Sequence, residues 1–133
     1  MHAAGYAGVR MIKDLIGIPY KPHGRDSSGM DCYGVVIEIM RRRGKNIPDV
    51  FYGDVKKETN ISVLQNLEAV IPNTKLDKPE EGAVVELLVS GQPSHVGVCL
   101  GDGTFIHAME KIGVVIEPLY RYKKRIKGYY RVR

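Results

Sequence analysis

The sequence predicts an α+β domain, and three observations predict it. Apolar residues early in the chain recur at helical spacing, the period changes to that of strands from residue 83 onward, and the helices precede the strands instead of alternating with them. A βαβ design would interleave the two periods, so an antiparallel sheet is expected. Tyr6, Val9, Met11, Ile12, Leu15 and Ile16 give residues 5–16 a helical apolar face; Gly17 stops that helix and Pro19 opposes its resumption. Residues 19–30, with Pro19, Pro22, Gly24, Ser27, Ser28 and Gly29, read as a loop. Asp31 can cap a second helix through Val35, Val36, Ile39 and Met40 to Arg43, ended by Gly44. That helix is apolar on several sides and should be central and buried. A loop with Pro48, Asp49 and Gly53 leads to a short helix over residues 61–70. Strands are predicted over residues 83–89, 94–100, 104–108, 112–117 and 126–132, and Gly101-Asp102-Gly103 supplies a hairpin turn.

Composition narrows the class. The 133 residues suit one domain, 1–133, and 44% apolar with 26% charged residues is ordinary for a soluble globular chain. Two cysteines, Cys32 and Cys99, make no disulfide framework. No apolar stretch approaches the ~18 residues of a membrane span, so no membrane partner is expected. The first ten residues lack a basic region followed by an apolar run, so no signal peptide is read and the chain is expected in the cytoplasm as synthesised. The net charge of +5 gathers at Arg41–Arg43 and between Arg121 and Arg133. The first group complements the negative end of a helix dipole, and the second reads as a solvated strand or tail face. Tyr120, Tyr122, Tyr129 and Tyr130 among those cations describe a half-buried strand as well as they describe a nucleic-acid surface, and no nucleic-acid partner is expected.

Chemistry gathers at three residues. Cys32 falls in the first turn of the second helix, where free N–H groups and the dipole should lower the thiol pKa. A thiol needs a base and an oriented imidazole. His95 opens one predicted strand and His107 lies on the next, so pairing across the Gly101–Gly103 turn brings both to one end of a hairpin. His95 would accept the thiol proton while His107 fixes its tautomer. Each residue alone has a plainer explanation, as a packed thiol or a polar strand end. Together they could also hold zinc, but tight pairs such as C-x-x-C or H-x-x-x-H are missing, and neither metal nor cofactor is expected.

As a set these segments resemble the NlpC-type cell-wall cysteine peptidases, a papain-like family. The resemblance lies in Gly17-Ile18-Pro19-Tyr20, then Gly29-Met30-Asp31-Cys32-Tyr33-Gly34, then the block from His95 to Ala108 with His107 inside it. Glu81-Gly82-Ala83-Val84-Val85 looks like the family's Pro-Gly-Asp-Leu-Val. The resemblance spans roughly residues 5–132 and implies a papain-like domain whose nucleophile helix packs on an antiparallel sheet. It implies Cys32 as nucleophile, His95 as general base and His107 as orienting residue. It also implies that Tyr20, Asp31 and Tyr33 border the substrate, with Asp31 suited to a free α-amine. The implied partner is a peptidoglycan stem peptide, cut between D-γ-glutamate and a diamino acid. Tyr33 stands where most members carry Ser, and Pro22-His23-Gly24 where many carry Trp-Gly-Gly. Tyr33, Ile47-Pro48-Asp49 and Gly128-Tyr129-Tyr130-Arg131 look more like the phage and prophage tail branch. That branch implies tail-tip proteins as further partners and delivery to the wall by the virion. Two other readings keep the same fold: a structural tail-assembly module with little activity, and an N-acyl amidase using the same three residues.

Overall fold

The computed structural model describes residues 11–49, 71–89 and 92–133. The helix predicted over residues 61–70 and the first part of that over 5–16 lie outside the described residues. Residues 11 and 12 are helical, Lys13–Leu15 form a 3-10 turn, and Gly17 at φ +91° ends the segment.

The predicted loop contains a small hairpin, β1 (Arg25–Asp26) and β2 (Gly29–Met30), with Arg25 opposite Met30. The Asp26 carboxylate accepts from the Ser28 amide at 2.9 Å and its hydroxyl at 2.6 Å, fixing the turn between them. Helix α1 (Cys32–Arg42) follows. Asp31, in extended conformation, accepts from the Gly34 N–H at 2.7 Å and caps it. At the other end the Gly44 and Lys45 N–H groups return to the Arg41 and Met40 carbonyls, with Gly44 at φ +79°, so the helix closes on a Schellman motif. The arginines there are bound by side chains as well as by the dipole: Arg41 and Arg42 pair with Glu38, and Arg42 forks onto Asp14 at 2.6 and 2.8 Å.

Strands β3 (Asn73–Leu76), β4 (Val84–Val89), β5 (Gln92–Cys99), β6 (Thr104–Met109), β7 (Gly113–Pro118) and β8 (Ile126–Val132) form one antiparallel sheet in the order β3-β8-β4-β5-β6-β7. β4 to β7 run as a meander. The chain then crosses back and lays β8 between β3 and β4. The crossing, Leu119–Arg125, which lies between the two last predicted strands, is a 3-10 segment, so of the tyrosines read as strand-like Tyr120 and Tyr122 lie on it and only Tyr129 and Tyr130 on a strand. Pro118 lacks the N–H for another ladder bond, and the Leu119 N–H turns to Gly103 O at 2.9 Å. β3 was not predicted; its Asn-Thr-Lys-Leu has little apolar content and lies at a sheet edge.

α1 packs on β5 and β6. Val35, Val36, Ile39 and Met40 meet Val84, Val96, Val98, Ile106 and Ala108 in one core, while Val85, Leu87, Cys99, Phe105 and Leu119 form another. Cys99 is therefore strand packing. Among the described residues no helix is long and apolar enough to cross a membrane.

Candidate active site

Cys32 is the first residue of α1, partly buried and packed against the core beside Tyr20. The backbone N–H groups of Val96 and Tyr33 stand near enough its sulfur to favour the thiolate. The first lies on β5, at the residue following His95. Both cysteines are free thiols.

The two histidines are in direct contact. Nε2 of His95 lies 2.7 Å from Nδ1 of His107, with ring centroids 5.0 Å apart and nearly edge-on. His107 is 1% exposed and shares an aromatic cluster with Phe105, 4.3 Å away ring to ring, and Tyr122 at 5.7 Å, which also touch each other at 5.3 Å. Burial and contacts at both ring nitrogens, to His95 and to Glu117, hold its ring in place. Gly97 makes the approach possible: a Cβ there would stand 2.7 Å from the Ile106 carbonyl oxygen and 3.1 Å from the His107 Cβ.

Beyond His107 the chain of contacts continues to a residue that sequence reasoning missed. Glu117 on β7 places Oε1 2.7 Å from His107 Nε2, and the Tyr122 hydroxyl donates to the same oxygen at 2.7 Å. Arg121 Nη1 stands 3.5 Å from Oε2. The signal was present in the strand parity. Glu117 is opposite Phe105 in the β6–β7 register, which puts it diagonal to His107 on the same face.

The electrostatics differ from the expected activated thiolate. Burial, followed by the neighbouring Asp31 charge, pushes the Cys32 thiol up to about 12, against the Val96 and Tyr33 amides and Arg25, which favour the thiolate. The short first turn of the helix does not outweigh the loss of water. Burial likewise holds His95 down to about 3, helped by His107 and opposed by Glu117, and it lowers His107 despite the Glu117 hydrogen bond. At neutral pH Cys32 is thus a thiol and His95 a neutral imidazole.

The three residues expected to border substrate diverge. Tyr20 is half-buried within electrostatic reach of Cys32, and burial raises its hydroxyl pKa. Asp31 is 3% exposed and holds the Arg25 guanidinium at 2.7 Å, the His23 amide at 3.0 Å and the Gly34 amide. Tyr33 points into the core at 1% exposure and donates its hydroxyl to the Pro48 carbonyl. In this geometry Asp31 caps the helix and clamps the loop, and Tyr33 packs in the core. Among the described residues no group of three or more His, Cys, Asp or Glu is arranged to hold a metal ion.

Comparison with known proteins bears on the fold and the family. Among solved structures, the chain is similar to the NlpC/p60 domain of the peptidoglycan hydrolase SagA, at 22% identity and a TM-score of 0.67 over 96% of this chain and 98% of that one. An NlpC/P60 family protein from Bacillus cereus ATCC 10987 matches at 22% identity and TM-score 0.70, over 99% of this chain and 41% of that one. The peptidoglycan hydrolase RipB from Mycobacterium tuberculosis matches at 22% and 0.62, over 98% and 64%. The chain thus spans less than two thirds of the last two, and identities this low speak to fold alone. The sequence model of the NlpC/P60 family matches residues 17–131, nearly the whole length described above, and by that match the chain belongs to the NlpC/P60 family.

Proposed function

We propose that the chain is a cysteine endopeptidase acting on peptidoglycan stem peptides, with Cys32 as nucleophile, His95 as general base and His107 as the residue that orients it. One observation carries the reading. His95, on the strand whose next residue, Val96, stands near the thiol at the start of α1, has its Nε2 engaged by His107, so Nδ1 is the nitrogen left for the thiol proton.

The reaction is acyl transfer. Sγ attacks the amide carbonyl as its proton passes to Nδ1 of His95, and the Cys32 N–H at the start of α1 stabilises the oxyanion. His95 returns the proton to the leaving amine, giving a thioester; it then deprotonates a water that attacks the thioester and releases Sγ with the carboxylic acid. Because thiol and imidazole are both neutral at rest, His95 works as a base during attack and not as half of a standing ion pair. The bond between D-γ-glutamate and the diamino acid, and service in a phage or prophage tail, rest on the motif resemblance around Tyr20, Cys32, Tyr33 and residues 47–49.

The test is incubation of the purified chain with defined muropeptides, with products identified by mass spectrometry. Cleavage at the γ-glutamyl bond, lost in Cys32→Ala while circular dichroism is unchanged, is expected. Wild-type turnover in folded Cys32→Ala eliminates the thiol mechanism. Cleavage at another amide makes the chain an amidase, and an intact substrate with an unreactive Cys32 makes it a structural module.

A further inference from the structure

Three groups in this site carry protons whose positions constrain one another, and the constraint begins at Glu117. Tyr122 and His107 hydrogen bonds, with Arg121 nearby, outweigh burial and keep the Glu117 carboxyl below its ordinary range, so at neutral pH it is an ionised acceptor. An acceptor 2.7 Å from His107 Nε2 requires the proton on that nitrogen. Neutral His107 has one ring proton, so its Nδ1 is a bare acceptor. Across the 2.7 Å contact, His95 Nε2 must then donate. Neutral His95 has spent its one proton there, and its Nδ1 is bare. The reverse ordering would set the lone pair of His107 Nε2 against the carboxylate and leave His95 Nδ1 protonated and useless as a base.

We propose that Glu117 is a positioning residue that sets the tautomers of both histidines in series, so that Nδ1 of His95 is the nitrogen able to accept the Cys32 proton. The thiol, His95 and His107 then form a chain of donors all pointing the same way, ending on the Glu117 carboxylate as acceptor. When His95 becomes imidazolium during attack, its charge is met through His107 by a fixed anion. Tyr122 serves Glu117 twice: its hydroxyl binds Oε1, and its ring, covered by the Arg125 guanidinium at 4.7 Å, packs edge-on against His107. Arg121 neutralises part of the carboxylate from the solvent side.

The inference deepens the endopeptidase reading and rests on it for the role of His95, but its first measurement does not require turnover. Long-range ¹H–¹⁵N spectra of ¹⁵N-histidine-labelled chain at pH 7 report which ring nitrogens carry protons. Protonated Nε2 on both His95 and His107 is expected; a bare Nε2 on His107 overturns the proposal. Glu117→Gln supplies the second arm, because its amide can donate as readily as accept. There the two tautomers should mix, Cys32 alkylation by iodoacetamide, located by peptide mapping, should slow about tenfold, and kcat on a stem peptide should fall about as far with KM within about twofold. Unchanged tautomers, or unchanged alkylation and turnover, overturn the proposal. If Glu117→Gln does not fold, the wild-type spectra alone still decide it. A wild-type chain with the expected tautomers that cleaves no stem peptide refutes the endopeptidase reading and leaves the role of Glu117 standing.

Discussion

Asp31 illustrates how one carboxylate can be claimed by competing roles. It accepts the Gly34 amide that starts α1, the Arg25 guanidinium from β1 and the His23 amide, and it is almost wholly buried. A free substrate amine would have to compete for lone pairs already in use. Asp31→Asn keeps the shape but turns one acceptor into a donor facing donors, so a loss of about 1–3 kcal/mol in urea unfolding is expected. The preference for a free over a blocked N-terminal L-Ala should stay put; loss of that preference at unchanged stability would restore the ligand role. Cys32, His95 and His107 could be picked out in sequence as candidates because they stand in recognisable local contexts, and the structure brings the two histidines into contact. Glu117 and Tyr122 could not, since an acidic strand end and a tyrosine among cations mean nothing until the β6–β7 register places the first, and the 3-10 segment after β7 the second, against His107. The protonation state of Cys32 was also hidden. A helix start can be read from sequence, but the burial that overrides it is set by strands more than sixty residues away.

At the scale of the elements, β5 is a strand with two duties. Val96 and Val98 pack toward α1, while Gly97 and Cys99 face the other way, with Gly97 leaving room for β6. Gly97→Ala would press a methyl against the Ile106 carbonyl, which cannot rotate away. The strands must part locally, and a destabilisation of about 1–3 kcal/mol is expected from the overpacking. Because the same gap sets the His95–His107 contact, turnover should drop further than stability alone explains. Alkylation of Cys32 and urea midpoints measured on one preparation would separate the two effects, and wild-type values for both would refute this account of Gly97. The long strands and α1 were readable to within a residue or two, since their apolar periods are strong and a cap or a glycine marks most ends. The β1–β2 hairpin and β3 escaped because two polar residues, or four at an edge, leave no period to read.

For the whole molecule, the buried groups define a window of pH. His95 and His107 have folded pKa values below the unfolded value near 6.5, so between those values the unfolded chain binds the extra protons and stability falls as pH drops. The slope is at most about 1.4 kcal/mol per pH unit for each histidine. Cys32 and Cys99, both raised to about 12, act in the opposite sense: stability falls as pH climbs above about 9, where unfolded thiols ionise first. Urea midpoints should be flat near pH 7–8.5 and decline on both sides. His95→Gln should flatten the acid limb and Cys99→Ser the alkaline one; limbs of wild-type steepness in both variants would refute the assignment. The sheet order has a further consequence, for synthesis. β8 is inserted between β3 and β4, about 50 and 40 residues behind it in the chain, so neither strand has that neighbour until residue 132 has left the ribosome. Until then β4 presents an open flank, and the 3-10 segment that carries Tyr122 has no strand to lead into. The nascent chain thus holds α1 and the β5–β7 strands that carry its thiol and both histidines well before the sheet is closed, and completion of the fold waits on the last strand.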